Sequence, residues 1–236
     1  MFEIKRELGR SSVGVDSALS LDTMVDILQD CSIFHVDSMK HQKEYMQKNY
    51  IEIFYASRQV DIIRLPIYGE SITAKTWIFE SKRPYACRNT IILDKEEKVC
   101  IASFSIGAFV DTRTGKAVLM PKEFITKIPT EQKYPMQYLD RKIILPDIEP
   151  AEKEPIVVLK AYLDFNKHVN NAKYITIAQE YLPDESSCSR MRVEYKMPAK
   201  SKDIMIPQIY QIQNAVIVDL CSIEGNSYAT VEFAHM

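Results

Sequence analysis

The chain has 236 residues, 46% hydrophobic and 26% charged, an ordinary globular composition that excludes a disordered or fibrous architecture. Thirty Lys and Arg against 32 Asp and Glu leave a formal charge of -2, so no global field draws the chain to nucleic acid. No apolar run approaches the roughly 18 residues that a membrane span needs. The opening MFEIKRELGR is too charged for a signal segment, so a soluble, cytoplasmic protein is expected.

FEIKREL opens the chain as an alternating strand. In 20–34, Leu21, Met24, Val25, Leu28 and Cys31 recur at helical spacing, with Ser20 placed to cap and Asp22 in the first turn. After this one helix the first half reads as strands only. They are 59–65, a Pro66/Gly69 turn, 72–79, and a hairpin of 87–94 and 99–110 across Lys95 to Lys98.

Six of the eleven prolines fall between 121 and 155. Proline fixes φ and lacks an N–H, so this stretch resists a continuous helix or a central strand and suits an extended strap. The expected units are 1–120, a strap over 121–154, and 155–236. The second unit repeats the order of the first: a strand at 155–163, a helix at 170–182, then strands at 189–197, 204–212, 215–223 and 227–234. The fold class expected is α+β, with two antiparallel sheets each curled around its own helix.

Polar groups concentrate abruptly in YLDFNKHVNNAKYI, residues 162–175. Asp164, Asn166 and His168 alternate, and in an extended segment their side chains share one face. Asn170 or Asn171 is placed to cap the helix that follows, whose first-turn N–H groups make a local positive site. A calcium loop is excluded because Val169 and Ile175 stand where a Gly and a Glu are needed. His35, His41 and His235 form no ligand pair, so no metal is expected. The five cysteines show no C-x-x-C spacing, an odd count that argues against a disulfide framework.

DFNKHVNNAKYI resembles the active-site segment of the acyl-ACP thioesterases, the plant and bacterial double hot-dog family. VDIIRLPIYGESITAKTW resembles that family's first-domain strand pair, and FEIKRE its opening strand. The resemblance implies a tandem double hot-dog, each half an antiparallel sheet wrapped around one long helix. It implies hydrolysis of acyl-[acyl carrier protein] thioesters to free fatty acid, within fatty acid biosynthesis. It carries the catalytic Asp, Asn and His onto Asp164, Asn166 and His168.

The N–H groups of Val169, Asn170 and Asn171 are then the expected oxyanion donors, and Met24, Leu28 and Trp77 the expected acyl slot. The implied partner is acyl carrier protein bearing a 4'-phosphopantetheine acyl thioester, with no cofactor and a monomer or homodimer. Arg64, Lys82, Arg83, Arg141, Lys142, Lys196, Lys200 and Lys202 are candidate docking residues for that acidic partner. The first half offers 13-VGVDSALSL-21 at the comparable place, without Asn or His. The plant members' Glu-Cys pair is absent, because 194-EYKMPAKSKD-203 has Pro198 and Ala199 there. Water or a carboxylate must serve in place of a thiolate. An acyl-CoA thioesterase and a non-catalytic acyl-binding module are the rival readings; a hydratase is disfavoured by the spacing before His168.

Overall fold

A computed structural model describes residues 1–182 and 188–235. The strands are β1 (Phe2–Glu7), β2 (Ile51–Ile62), β3 (Ser71–Lys82), β4 (Tyr85–Leu93), β5 (Val99–Asp111), β6 (Lys116–Ala117), β7 (Ala151–Glu152), β8 (Ile156–Val157), β9 (Arg190–Tyr195), β10 (Ile204–Ile212), β11 (Ala215–Cys221) and β12 (Ser227–Ala234). The helices are α1 (Leu21–Ser38), α2 (Lys40–Lys48), α3 (Lys122–Ile125) and α4 (Asn171–Gln179).

The expected tandem hot-dog is what the chain forms, with one feature that local patterning does not announce. The two half-sheets are continuous, in the order β1-β3-β4-β5-β2-β9-β12-β11-β10-β7. The seam is the antiparallel pair β2–β9, from Ser57 opposite Glu194 to Asp61 opposite Arg190. Arg190 and Asp61 also close a two-point ion pair across it, at 2.6 and 3.0 Å.

Helix α1 buries Leu21, Met24, Val25, Ile27, Leu28 and Cys31, the face that its apolar spacing predicts. It packs against α4, whose Ala172, Ile175 and Ala178 are fully buried in the same core. Small residues on α4 let the two helices approach, and Asn171 Nδ2 donates to Gln29 Oε1 at 2.8 Å across them. Strand residues Val60, Ile101, Met191, Val218 and Val231 floor this core from both halves.

Two expectations are corrected. The first half has a second helix, α2, which follows α1 after a non-helical Met39. Its sequence KHQKEYMQK buries only Met46, so it carries no apolar period for a sequence reading to detect. The strand expected at 155–163 shrinks to Ile156–Val157, followed by a 3-10 turn at Lys160–Tyr162.

Candidate active site

The segment before each helix is built twice on one backbone. Residues 8–29 and 158–179 share the same run of 3-10 turn, bridge, tight turn, bridge and helix. The hydrogen bonds repeat at an offset of 150: Gly14 N–H to Ala18 O at 2.8 Å matches Asp164 N–H to His168 O at 2.8 Å. Likewise Ser17 N–H to Gly14 O matches Lys167 N–H to Asp164 O, both at 3.0 Å. Ser17 and Lys167 both take left-handed backbone, with φ of 64° and 63°. In this register Gly14, Asp16 and Ala18 stand where the second half has Asp164, Asn166 and His168.

This geometry corrects the extended arrangement expected for the three residues. Residues 164–168 form a tight turn, because Asp164 Oδ1 accepts the backbone N–H of Asn166 at 2.8 Å and of His168 at 3.2 Å. The other carboxylate oxygen, Oδ2, has no hydrogen-bond partner among the described residues. Asn166 turns its side chain to the first half, where Nδ2 donates to Glu52 Oε2 at 3.0 Å. His168 lies beside Phe54, ring centroids 6.2 Å apart, and its Nδ1 is buried with no partner among the described residues. A buried nitrogen left unpaired costs about 1–3 kcal/mol, so it marks a place where a ligand or water is expected to bind.

Two of the three expected oxyanion donors are already spent. Val169 N–H donates to Ala199 O at 2.9 Å and Asn170 N–H to Tyr162 O at 2.8 Å. Asn170 caps α4 through its side chain, which accepts from Ala172 N–H at 2.9 Å. Only Asn171 N–H has no acceptor among the described residues, at the positive end of α4.

The three expected slot residues do not share one wall. Met24 and Leu28 are buried in the core between α1, α4 and the sheet. Trp77 clusters with Ile91, Leu93 and Ala102, and donates Nε1–H to Gln132 O at 2.8 Å under the strap. Ala74, in the core, precedes it by an odd number of residues, so strand alternation places Trp77 on the opposite face. The helix-facing side of the first half also carries buried Arg58 and Arg88, both opposite Ser105 on β5.

Sequence reasoning missed Glu52 and Phe54. Their only sequence signal is a charge and an aromatic within the strand-like IEIFYASRQV. Of the docking candidates, Arg64 is held by Glu70 and Asp94, Lys82 by Glu80, and Lys196 lies 3.9 Å from Asp219. Lys200 bridges directly to His168 through the backbone, and with Lys160, Lys167 and Lys202 it is exposed and outside any ion pair among the described residues.

Comparison with known proteins agrees with the twofold plan. The Acyl-ACP thioesterase N-terminal domain family matches residues 2–128, and the Acyl-ACP thioesterase C-terminal domain family matches 147–230. The chain is 26% identical over 185 residues to the acyl-[acyl-carrier-protein] hydrolase FATB3 of Cuphea viscosissima, covering 73% of this chain and 45% of that protein. It is 24% identical over 206 residues to a palmitoyl-acyl carrier protein thioesterase of Arabidopsis thaliana, covering 78% of this chain and 48% of that protein. The chain thus spans about half the length of the curated relatives it matches.

Its fold is similar to an acyl-ACP thioesterase from Bacteroides thetaiotaomicron, with a TM-score of 0.87, 16% identity, and 99% and 97% of the two chains covered. It is likewise similar to the 12:0-ACP thioesterase of Umbellularia californica, with a TM-score of 0.86, 19% identity, and 100% and 96% covered. Since the first of the two family matches alone takes in more than half of the sequence, and the second falls on the half that carries Asp164, Asn166 and His168, this chain belongs to the acyl-ACP thioesterase family.

Proposed function

We propose that the protein hydrolyses the thioester of an acyl chain carried on acyl carrier protein, releasing free fatty acid and the carrier's phosphopantetheine thiol. One observation carries this reading: the backbone turn is made twice, and only the second copy bears Asp164, Asn166 and His168. Gly14 and Ala18 close the first copy, where Asp16 Oδ1 accepts the Ala18 N–H at 2.9 Å, so a turn of this shape uses one carboxylate oxygen but no imidazole. The second copy's imidazole and the remaining carboxylate oxygen of Asp164 are surplus to the turn's shape and available for chemistry.

In this reading Asp164 uses Oδ1 to hold the turn and Oδ2 to act on water or on the thioester carbonyl itself. In the general-base route it takes a proton from water, and the hydroxide adds to the carbonyl carbon. In the nucleophilic route the carboxylate adds and water then cleaves the mixed anhydride. Either way negative charge develops on the carbonyl oxygen, and donors aimed there contribute about 3–4 kcal/mol each. Asn171 N–H at the start of α4 is the backbone donor available, and His168 is the side chain placed to assist. Collapse expels the thiolate, which takes up a proton on leaving. Ala199 stands where a cysteine mechanism would need its thiol; it is fully buried, and its N–H meets the Tyr174 hydroxyl at 3.0 Å.

Residues 1–120 then supply the acyl slot, with Met24 and Leu28 in its wall, residues 121–154 strap the sheet, and residues 155–236 supply the reacting groups. The exposed Lys160, Lys167, Lys200 and Lys202 ring the turn with the positive charge that an acidic carrier protein seeks.

The test is thiol release from an acyl-ACP and from the matching acyl-CoA, using wild type, Asp164→Ala and His168→Ala with native-like melting. Preferential acyl-ACP turnover, reduced about 100-fold or more by each substitution, supports the proposal. Equal turnover of both carriers moves the function to general acyl-thioester hydrolysis. Bound acyl ligand without turnover leaves an acyl-binding module.

A further inference from the structure

The reacting turn belongs to the second half, yet its amide is held by the first. Strand β9 pairs with β2 only over Ser57–Asp61. Beyond the bulge between Tyr55 and Ser57, residues 51–55 of β2 therefore run past the end of β9. Asn166 and His168 of the turn come to this end of β2, where His168 lies beside Phe54 and Asn166 Nδ2 donates to Glu52 Oε2 at 3.0 Å. Gly107, opposite Tyr55, keeps this end of the sheet close, since a Cβ there would lie 2.5 Å from Ile53 Cγ2.

A carboxylate accepts and cannot donate, whereas a primary amide has one end of each kind. Glu52 therefore fixes which end of Asn166 faces the first half. The Nδ2 end is taken, and the Oδ1 end, which has no partner among the described residues, is available to accept a hydrogen bond from water or substrate. A neutral hydroxyl or a solvent molecule in place of Glu52 would accept either amide orientation. Glu52 is thus a carboxylate supplied to the reacting turn from the other half of the chain.

Resting on the thioesterase reading above, we infer that Glu52 is a positioning residue for catalysis, acting through Asn166 by locking the orientation of its amide. The two halves are then coupled chemically as well as by the shared core, because the second half's turn is complete only with a first-half strand against it.

The experiment is a double-mutant cycle on kcat and KM for acyl-ACP, using wild type, Glu52→Ala, Asn166→Ala and the double variant, with Glu52→Gln as the conservative replacement and melting temperature as the folding control. The expected result is a fall in kcat of about 10- to 100-fold for Glu52→Ala, as for other small misplacements of reacting groups, with KM held within about twofold. The double variant is no slower than Asn166→Ala, and Glu52→Gln, which keeps an acceptor oxygen but can pair with either end of the Asn166 amide, has a kcat between those of Glu52→Ala and wild type. Independent, multiplicative losses would overturn the inference, as would a change in KM or melting temperature alone. So would a Glu52→Gln variant as slow as Glu52→Ala, which would make Glu52 a charge acting directly, or one as fast as wild type, which would leave its acceptor-only character without effect. Wild type without hydrolysis would instead fail the thioesterase reading, and a wild type whose turnover Glu52→Ala leaves unchanged would fail only this one.

Discussion

Asp164 and His168 close on each other twice: Asp164 N–H donates to His168 O at 2.8 Å, and His168 N–H returns to Asp164 Oδ1 at 3.2 Å. One carboxylate thus has a structural oxygen and an open one, and substitution can separate the two roles. Asp164→Asn keeps an acceptor for the turn and removes the charge; Asp164→Ala removes both. Both variants are expected to lose about 100-fold or more in kcat, while only Asp164→Ala also loses stability, on the order of 1 kcal/mol as for a lost cap. Turnover assays beside thermal melts check this, and an Asp164→Asn enzyme with wild-type kcat would reduce Asp164 to a turn former.

The lysines around the turn make a separate claim about the carrier. Lys167 and Lys200 are exposed, and neither forms an ion pair among the described residues. Reversing both to Glu removes attraction for an acidic partner without touching Asp164, Asn166 or His168. KM for acyl-ACP is expected to rise about tenfold at low salt, with a smaller effect above roughly 0.3 M salt, where the Debye length is short. KM for a carrier-free acyl thioester of pantetheine is expected to stay constant. A parallel rise for both substrates would place the lysines in the acyl or pantetheine site instead.

The proposed chemistry uses no thiol. All five cysteines are buried, and burial pushes Cys31 up to about 11 and Cys87 and Cys221 up to about 12. Thiolate at these three is therefore scarce at neutral pH, and alkylating reagents react with thiolate. Iodoacetamide at about pH 8 is expected to leave the native protein's hydrolysis rate unchanged while labelling the urea-unfolded chain. Stoichiometric inactivation of the native form would return a cysteine to the mechanism.

What the sequence carries and what it hides follow from how local each signal is. Helix α1 is legible because Leu21, Met24, Val25, Leu28 and Cys31 repeat at its own period. The reacting segment is legible because Asp164, Asn166 and His168 crowd into five residues. Its shape is not, since alternation in sequence is equally compatible with a turn in which Lys167 takes left-handed backbone. Whether Val169 and Asn170 have free N–H groups depends on Ala199 and Tyr162, which no window around the helix start contains. Glu52 lies 114 residues from Asn166, and the seam that brings them together is a pairing between halves. The side on which Trp77 lies was within reach, because its odd spacing from Ala74 already separates it from the helix-facing set.

Inside the first half, His35 and Arg88 set a limit on acid stability. Arg88 Nη1 lies 2.8 Å from His35 Nδ1, and a guanidinium can only donate, so Nδ1 accepts and the ring is neutral with its proton on Nε2. Arg88 also donates to Thr76 Oγ1 at 2.9 Å, and Phe2 stacks on the imidazole at 5.8 Å. Burial, then the Arg88 charge, pushes His35 down from 6.5 to about 4. Because the folded state resists a proton that the unfolded chain accepts, the stability from this group is fully present above about 6.5 and is lost as pH falls from there toward about 4. The loss across that window is on the order of 3 kcal/mol. His35→Gln keeps an acceptor for Arg88 and cannot titrate. Denaturant unfolding of both proteins between those pH values is expected to show wild type losing stability faster on acidification than the variant, by about that amount. Parallel pH curves for the two proteins would show that His35 is not the group being forced to charge, and that other acid-sensitive contacts set the limit.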